Sequence, residues 1–342
     1  MKKFTKHTRR FAALLAAVLI LALAPLSAAA ADEEDLTGQE TPAEGEVPAQ
    51  DLAELAGAAT PREMLDRRLA QRLEDGPVEE KTPPAGSPSA TDILASTQVI
   101  AHGLGEVGGV TTLNCLEGFL EGYAKGVRVF EADLRLTADG RVVLRHDWRG
   151  GWQEGINESY IPPLEEYLSK PILERYTPLS FQDLLLLLDE YPDVAVITDS
   201  KFTDSDVAVV QFGAMMADAR ELGLSYVFDR ILVQFYNQSM HDALHSAYNY
   251  PHYIYTLYNE GFAGTQDAFR QLAEYCAERG VEGITMWDSW WKPEFAPIAR
   301  EYGLRVYAHT VNDAAAAGEL LASGVSAVYT DLLTDAILHP GA

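Results

Sequence analysis

The chain has little cysteine and little positive charge. Two cysteines in 342 residues are too few for a secreted disulfide framework, so folding has to come from packing. Only 26 basic residues stand against 51 acidic ones, a net charge of -25. Such a balance repels polyphosphate backbones, which excludes nucleic acid as a partner and broad adhesion to anionic lipid. An anionic substrate would need a metal ion or a few local cations. What the chain has in quantity is apolar surface, with 47% hydrophobic and 10% aromatic residues. That content describes a globular body rather than a disordered chain, and the length suits one large domain with appendages or two small ones.

Lys2, Lys3, Lys6, Arg9 and Arg10 precede an apolar run from Phe11 to Leu26, closed by Ser27-Ala28-Ala29-Ala30. A charged start, an apolar middle and a small-residue end describe a signal peptide over residues 1–30, with a retained membrane anchor as the alternative. Either reading makes the protein secreted or extracytoplasmic. Removing that segment takes five basic and no acidic residues, which moves the net charge from -25 to -30. Residues 31–90 hold seven of the 17 prolines and 15 acidic against five basic residues, and read as an acidic Pro-rich linker. Within it, Thr60-Pro61-Arg62-Glu63 is a helix start, and Leu65, Leu69 and Leu73 follow at helical spacing. A short amphipathic helix over 61–74 is expected, docked on the main domain or nascent.

Residues 91–342 alternate short β-branched runs with longer segments of helical period. Strands are expected at 98–102, 128–134, 194–199, 231–236, 252–257, 283–287, 304–309 and 326–330, with helical stretches such as 113–125, 180–189, 204–222, 264–279 and 313–323 between them. Eight parallel strands joined by helices imply a closed (β/α)8 TIM barrel in the α/β class. A ninth run, 141–145, follows the second strand across Thr137-Ala138-Asp139-Gly140. Asp-Gly signals a two-residue turn, so this is an inserted antiparallel β-hairpin, and counting outward sets 138 against 141 and Asp133 against His146.

Because side chains alternate along a strand, Glu131 and Asp133 point the same way, into the mouth at the C-terminal end of the barrel. His102 ends the first strand, and Asp199 and Lys201 end the third. Paired buried acids with few cations nearby (Arg128, Arg135, Arg145) call for a hard divalent cation, Ca²⁺ or Mg²⁺. Two histidines, three carboxylates and a lysine thus offer an acid, a base, a metal site and an anion contact. Gln234, His309 and Asn312 also occupy strand ends. All five tryptophans, Trp148, Trp152, Trp287, Trp290 and Trp291, follow strand ends on that face, where they pack the rim, stack on a headgroup or touch an acyl interface. Cys115 and Cys276 are expected as two separate buried thiols.

Four segments together carry a resemblance. They are His102-Gly103 with Asn114-Cys115-Leu116-Glu117-Gly118-Phe119; Glu131, Asp133, Thr137, Asp139, Gly140, His146 and Asp147; Asp199-Ser200-Lys201; and Thr310-Val311-Asn312 with Thr330-Asp331. Over residues 98–335 the chain resembles the glycerophosphodiester phosphodiesterases, within the wider group of phosphatidylinositol-phospholipase-C-like phosphodiesterases. The second segment is the specific one. The resemblance implies that Glu131, Asp133 and Asp199 hold the metal and that His102 and His146 exchange protons with the attacking and leaving oxygens. It implies further that Lys201 neutralises the phosphate of a small-molecule phosphodiester, which is cleaved to glycerol phosphate and an alcohol. Trp148, Gln234, Trp287 and His309 are expected to line the substrate pocket, and lipid or cell-envelope contact is open.

Two departures stand out. Gly103 occupies the position of the family's arginine, so a bidentate phosphate contact either passes to Arg135, Arg145 or Lys201 or is lost. Asp199 replaces the usual glutamate and is one methylene shorter. The first departure motivates an alternative, a weakened barrel that binds a phosphorylated headgroup without turnover. A barrel glycosidase using Glu131 and Asp133 is a third reading, disfavoured because both acids lie on one wall.

Overall fold

The computed structural model describes residues 60–74, 78–148, 160–259 and 261–340. The expected signal peptide, most of the linker and Trp152 lie outside these residues. The strands are β1 (Val99–Ala101), β2 (Val129–Leu136), β3 (Val142–Leu144), β4 (Ala195–Ser200), β5 (Ile231–Phe235), β6 (Tyr253–Thr256), β7 (Gly283–Trp287), β8 (Arg305–His309) and β9 (Ala327–Thr330). All but β3 form a ring in the order β1-β2-β4-β5-β6-β7-β8-β9, which closes where β9 pairs with β1. Every pairing within the ring is parallel, and β3 lies outside it, antiparallel to β2. The architecture is the (β/α)8 barrel expected from the alternating pattern.

The strands are apolar and buried nearly throughout because the ring covers one face and the helices the other. Helices begin where a polar side chain can satisfy the free N–H groups of the first turn. Ser180 and Asp183 form a reciprocal capping box for Phe181–Glu190, and Asp204, Asn237, Thr265 and Asp313 cap later helices. The helix Ala90–Ser96, absent from the expected elements, starts on a second capping box and packs Ala90, Ile93 and Leu94 against Ile100, Val129, Ile197, Leu232 and Ile254. These strand residues project into the barrel, so the helix plugs its N-terminal end. Alternation then carries the inward face toward the opposite end, through Glu131, Asp133 and Arg135 on β2 and through Asp199 and Lys201 at the end of β4.

One expectation is corrected. The hairpin register differs by one residue: Leu134 pairs with Leu144 and Leu136 with Val142, and Thr137 and Arg141 bracket a three-residue loop. Gly140 closes that loop at φ 76°, the left-handed position such loops require. The Thr137 hydroxyl donates to Asp139 Oδ1 and accepts from Arg141 N–H at 3.0 Å, which stabilises the longer turn. Extending the ladder sets Arg145, not His146, across from Asp133, and Arg145 N–H donates to the Asp133 carbonyl at 2.9 Å.

The helix expected over 61–74, docked or nascent, spans Pro61–Glu74, lies on the helix Phe181–Glu190 and buries Leu65 completely. Arg62 forks onto Asp183 at 2.7 and 2.8 Å, and Arg72 donates to the Leu222 carbonyl at 2.7 Å. Further along, Lys81 N–H reaches the Gly223 carbonyl at 2.9 Å. The two cysteines are buried and free, as expected.

Candidate active site

Three carboxylates meet at the C-terminal mouth. Ligand oxygens of Glu131, Asp133 and Asp199 lie within 4.8 Å of one another, so the shorter side chain at 199 still reaches the cluster. Residues 131 and 133 pair directly with 197 and 199 across β2 and β4, which sets Asp133 and Asp199 side by side. Each acid is held from a different element. Asn114 donates to Asp133 Oδ2 at 2.6 Å while its Oδ1 accepts the Asp133 N–H at 2.9 Å. Asn114 is fully buried at φ 53°, a left-handed position that asparagine tolerates better than most residues. Gln234 donates to Asp199 Oδ1 at 3.0 Å, Tyr236 donates to the same oxygen, and Gly103 N–H donates to Glu131 Oε2 at 2.7 Å.

Lys201 Nζ lies 2.5 Å from Asp133 Oδ1 and 2.5 Å from Asp199 Oδ2. Burial alone would favour neutral lysine, yet the three surrounding acids raise its pKa. Burial likewise works against charge on Asp133, but Lys201, His146 and His102 hold its carboxyl below the usual range. Glu131 is less well compensated: burial and repulsion from Asp133 push it up against the opposing fields of His102 and Lys201, and its Oε1 is buried with no hydrogen-bond partner. An orphaned carboxylate oxygen aimed at two further carboxylates fits a divalent cation, with Glu131, Asp133 and Asp199 as its holders.

His102 and His146 are placed differently. His102 Nδ1 sits 2.8 Å from Asp331 Oδ1, leaving Nε2 4.0 Å from Glu131 Oε2. Desolvation would lower its pKa; the Asp331 bond and the fields of Glu131, Asp133 and Asp331 outweigh it and raise the ring to about 9. Asn312 donates to the other Asp331 oxygen at 2.8 Å. His146 stands exposed at the rim with Nδ1 3.0 Å from Asp147 Oδ2.

His309 packs edge-on against His102 at 4.9 Å between ring centroids, and against Tyr258 and Trp287 at 5.4 and 5.6 Å. Burial, with His102 and Lys201 nearby, drives its pKa down to about 3, so the ring is neutral. Trp287 stacks on Tyr258 at 4.5 Å and is 38% exposed, forming an open aromatic wall beside His102.

Two expected pocket residues are engaged elsewhere. Trp148 packs under the hairpin with Val143 and Tyr167, and Gln234 is buried and spent on Asp199. Trp291 is buried on Ser323, and Trp290 packs near Phe262. Asn114, Asp331, Tyr236 and Tyr258 were not singled out as site residues. Tyr236 follows Gln234 by two positions, so alternation could have placed it on the inward face.

Solved structures share this barrel. A glycerophosphodiester phosphodiesterase from Parabacteroides distasonis superposes with a TM-score of 0.57 at 17% identity, over 70% of this chain and 94% of that one. An Oleispira antarctica phosphodiesterase in complex with the product sn-glycerol-3-phosphate does so with a TM-score of 0.54 at 19% identity, over 71% and 96%. The fold is that of the glycerophosphodiester phosphodiesterases. No protein-family model and no curated protein matches the sequence.

Proposed function

We propose that the chain is an exported, metal-dependent glycerophosphodiester phosphodiesterase, which cleaves a small phosphodiester to glycerol phosphate and an alcohol. The observation that carries this reading is the meeting of Glu131, Asp133 and Asp199 beside a histidine oriented by Asp331 at the barrel mouth. Ca²⁺ or Mg²⁺, held by the three acids, would supply positive charge to counter the negative charge gathering on the phosphoryl oxygens. His102, fixed through Nδ1 by Asp331, presents Nε2 to the leaving alcohol oxygen and in its protonated form gives that oxygen its proton. His146 takes the proton of the attacking water, whose oxygen bonds to phosphorus as the bond to the alcohol breaks. The wall of Trp287, Tyr258 and neutral His309 receives the alcohol portion, and it offers stacking area without added charge. The Oleispira enzyme's complex with sn-glycerol-3-phosphate supports a glycerol phosphate product here, and the charged, apolar, small-residue order of residues 1–30 supports export.

Incubation of the full chain with glycerophosphocholine and glycerophosphoethanolamine, with and without Mg²⁺ or Ca²⁺, tests the reading through release of glycerol phosphate. Release should require the metal and fall at least about 100-fold in His146→Ala, the scale of lost acid–base catalysis. Metal binding without release from any glycerophosphodiester would instead support a barrel that holds a phosphorylated headgroup without turnover.

A further inference from the structure

A phosphodiester must meet positive charge that the protein has not already spent. Among the described residues, five cationic or potentially cationic side chains bear on the mouth. Lys201 is shared between Asp133 and Asp199, and His102 is bound to Asp331. His146 is beside Asp147 at the exposed rim. Arg145 turns back on its own hairpin, donating from Nε to the Asp147 carbonyl at 2.5 Å, with its guanidinium 6.0 Å over the Trp148 ring.

Like Arg135, Arg145 has no carboxylate at ion-pair distance among the described residues, but its guanidinium stands over buried Trp148, whereas that of Arg135 stands over Phe202, next to Lys201. Arg135 lies two residues beyond Asp133 on β2 and so shares the inward face with Glu131 and Asp133. Its Nε donates to the His146 carbonyl at 2.9 Å, and its guanidinium carbon stands 5.7 Å above the Phe202 ring. Those contacts fix the plane of the fork beside the backbone of His146, yet among the described residues no carboxylate lies within ion-pair distance of it.

Position 103 offers no substitute. Gly103 sits at φ 54°, ψ 39°, and a Cβ there would come within 2.5 Å of Thr112 Cα, so no larger side chain fits without moving the backbone.

We infer that Arg135 is the anion-binding residue of this site, its guanidinium fork gripping the non-bridging oxygens of the substrate phosphate. The inference rests on the phosphodiesterase reading and names the residue that recognises its substrate. A planar fork anchored at Nε keeps two terminal N–H groups for paired hydrogen bonds to a phosphate, which Lys201, already divided between two aspartates, cannot supply.

Calorimetric titration of the full chain with sn-glycerol 3-phosphate in Mg²⁺, alongside steady-state hydrolysis of glycerophosphocholine, tests it. Arg135→Gln keeps a donor for the His146 carbonyl and removes the charge. It should weaken sn-glycerol 3-phosphate by about 10- to 100-fold, the range of a lost charge-assisted pair, and raise KM more than it lowers kcat, without weakening Mg²⁺. Arg145→Gln should stay within about twofold of wild type, since that guanidinium is held on its own hairpin by the Asp147 carbonyl and buried Trp148. Arg135→Lys, which keeps the charge, decides the matter if Arg135→Gln melts early: it should recover part of the affinity, and full wild-type affinity would overturn the fork. Loss in Arg145→Gln with Arg135→Gln unaffected overturns the inference and leaves the enzyme reading standing. A wild type that hydrolyses no glycerophosphodiester and binds no sn-glycerol 3-phosphate overturns both.

Discussion

His102 gains a proton from folding. In the unfolded chain its pKa is the ordinary 6.5, whereas Asp331 and the neighbouring acids lift it to about 9 in the fold. A histidine raised in this way stabilises the protein fully below its unfolded value, and that contribution disappears as pH climbs through 9. For the metal-free protein it amounts to about 3 kcal/mol. The stability gap between wild type and His102→Gln, followed by urea denaturation, should therefore be widest near pH 6 and close by pH 9.5; a pH-independent gap would contradict the assignment. Gly103 carries a second residue-level expectation. Restoring arginine there does not restore a phosphate contact, because the left-handed backbone and the 2.5 Å approach to Thr112 leave no room for Cβ. Gly103→Arg should lower the stability by about 1–3 kcal/mol or more and leave hydrolysis no faster, as thermal denaturation and a rate assay can check.

At the scale of elements, β2 does the most. It carries Glu131, Asp133 and Arg135 on one face, accepts β4 and its Asp199 in register, and leads into the hairpin that brings His146 to the rim. A one-residue shift in its pairing with β4 would turn the acids outward, so the apolar alternation that sets register also sets the metal site. The helix Pro61–Glu74 is an element of another kind, a strap fastened to the outside by Leu65 and by the Arg62 fork on buried Asp183. Leu65→Ala should cost about 2–4 kcal/mol and Arg62→Ala about 2–3 kcal/mol in urea denaturation, since one leaves a cavity and the other an unpaired buried carboxylate. Neither touches the mouth, so turnover per folded molecule should not change.

Taken whole, the molecule is acidic, and among the described residues three carboxylates meet at one end of the barrel. A cation that binds the native mouth and not the unfolded chain stabilises by mass action, about 2.7 kcal/mol at a concentration 100 times its dissociation constant. Addition of Mg²⁺ or Ca²⁺ should therefore raise the melting temperature by several degrees, and Asp133→Asn should lose most of that increase. A rise of equal size in Asp133→Asn would move the metal away from the three carboxylates.

The alternation of β-branched runs and helical periods was enough to read a closed parallel barrel, because each strand must be apolar on both faces and each crossover must be long. Strand parity likewise made Glu131, Asp133, Asp199 and His102 legible as one convergent group. Local chemistry did not reach further. The hairpin register slipped by one since Asp-Gly serves two- and three-residue loops alike, and only the Thr137 and Arg141 pairing chose between them. The helix over 61–74 was legible within the acidic linker from its capping and leucine spacing, but whether it docked was not, because its anchors, Asp183 and Leu222, lie more than a hundred residues away. For the same reason, Trp148, read as a pocket residue from its place after a strand, is taken up by Tyr167. Which cations are spent on carboxylates is a matter of distances across strands, and the tertiary structure alone decided that, among the described residues at the mouth, Lys201 and His102 are bound to acids while Arg135 and Arg145 are not.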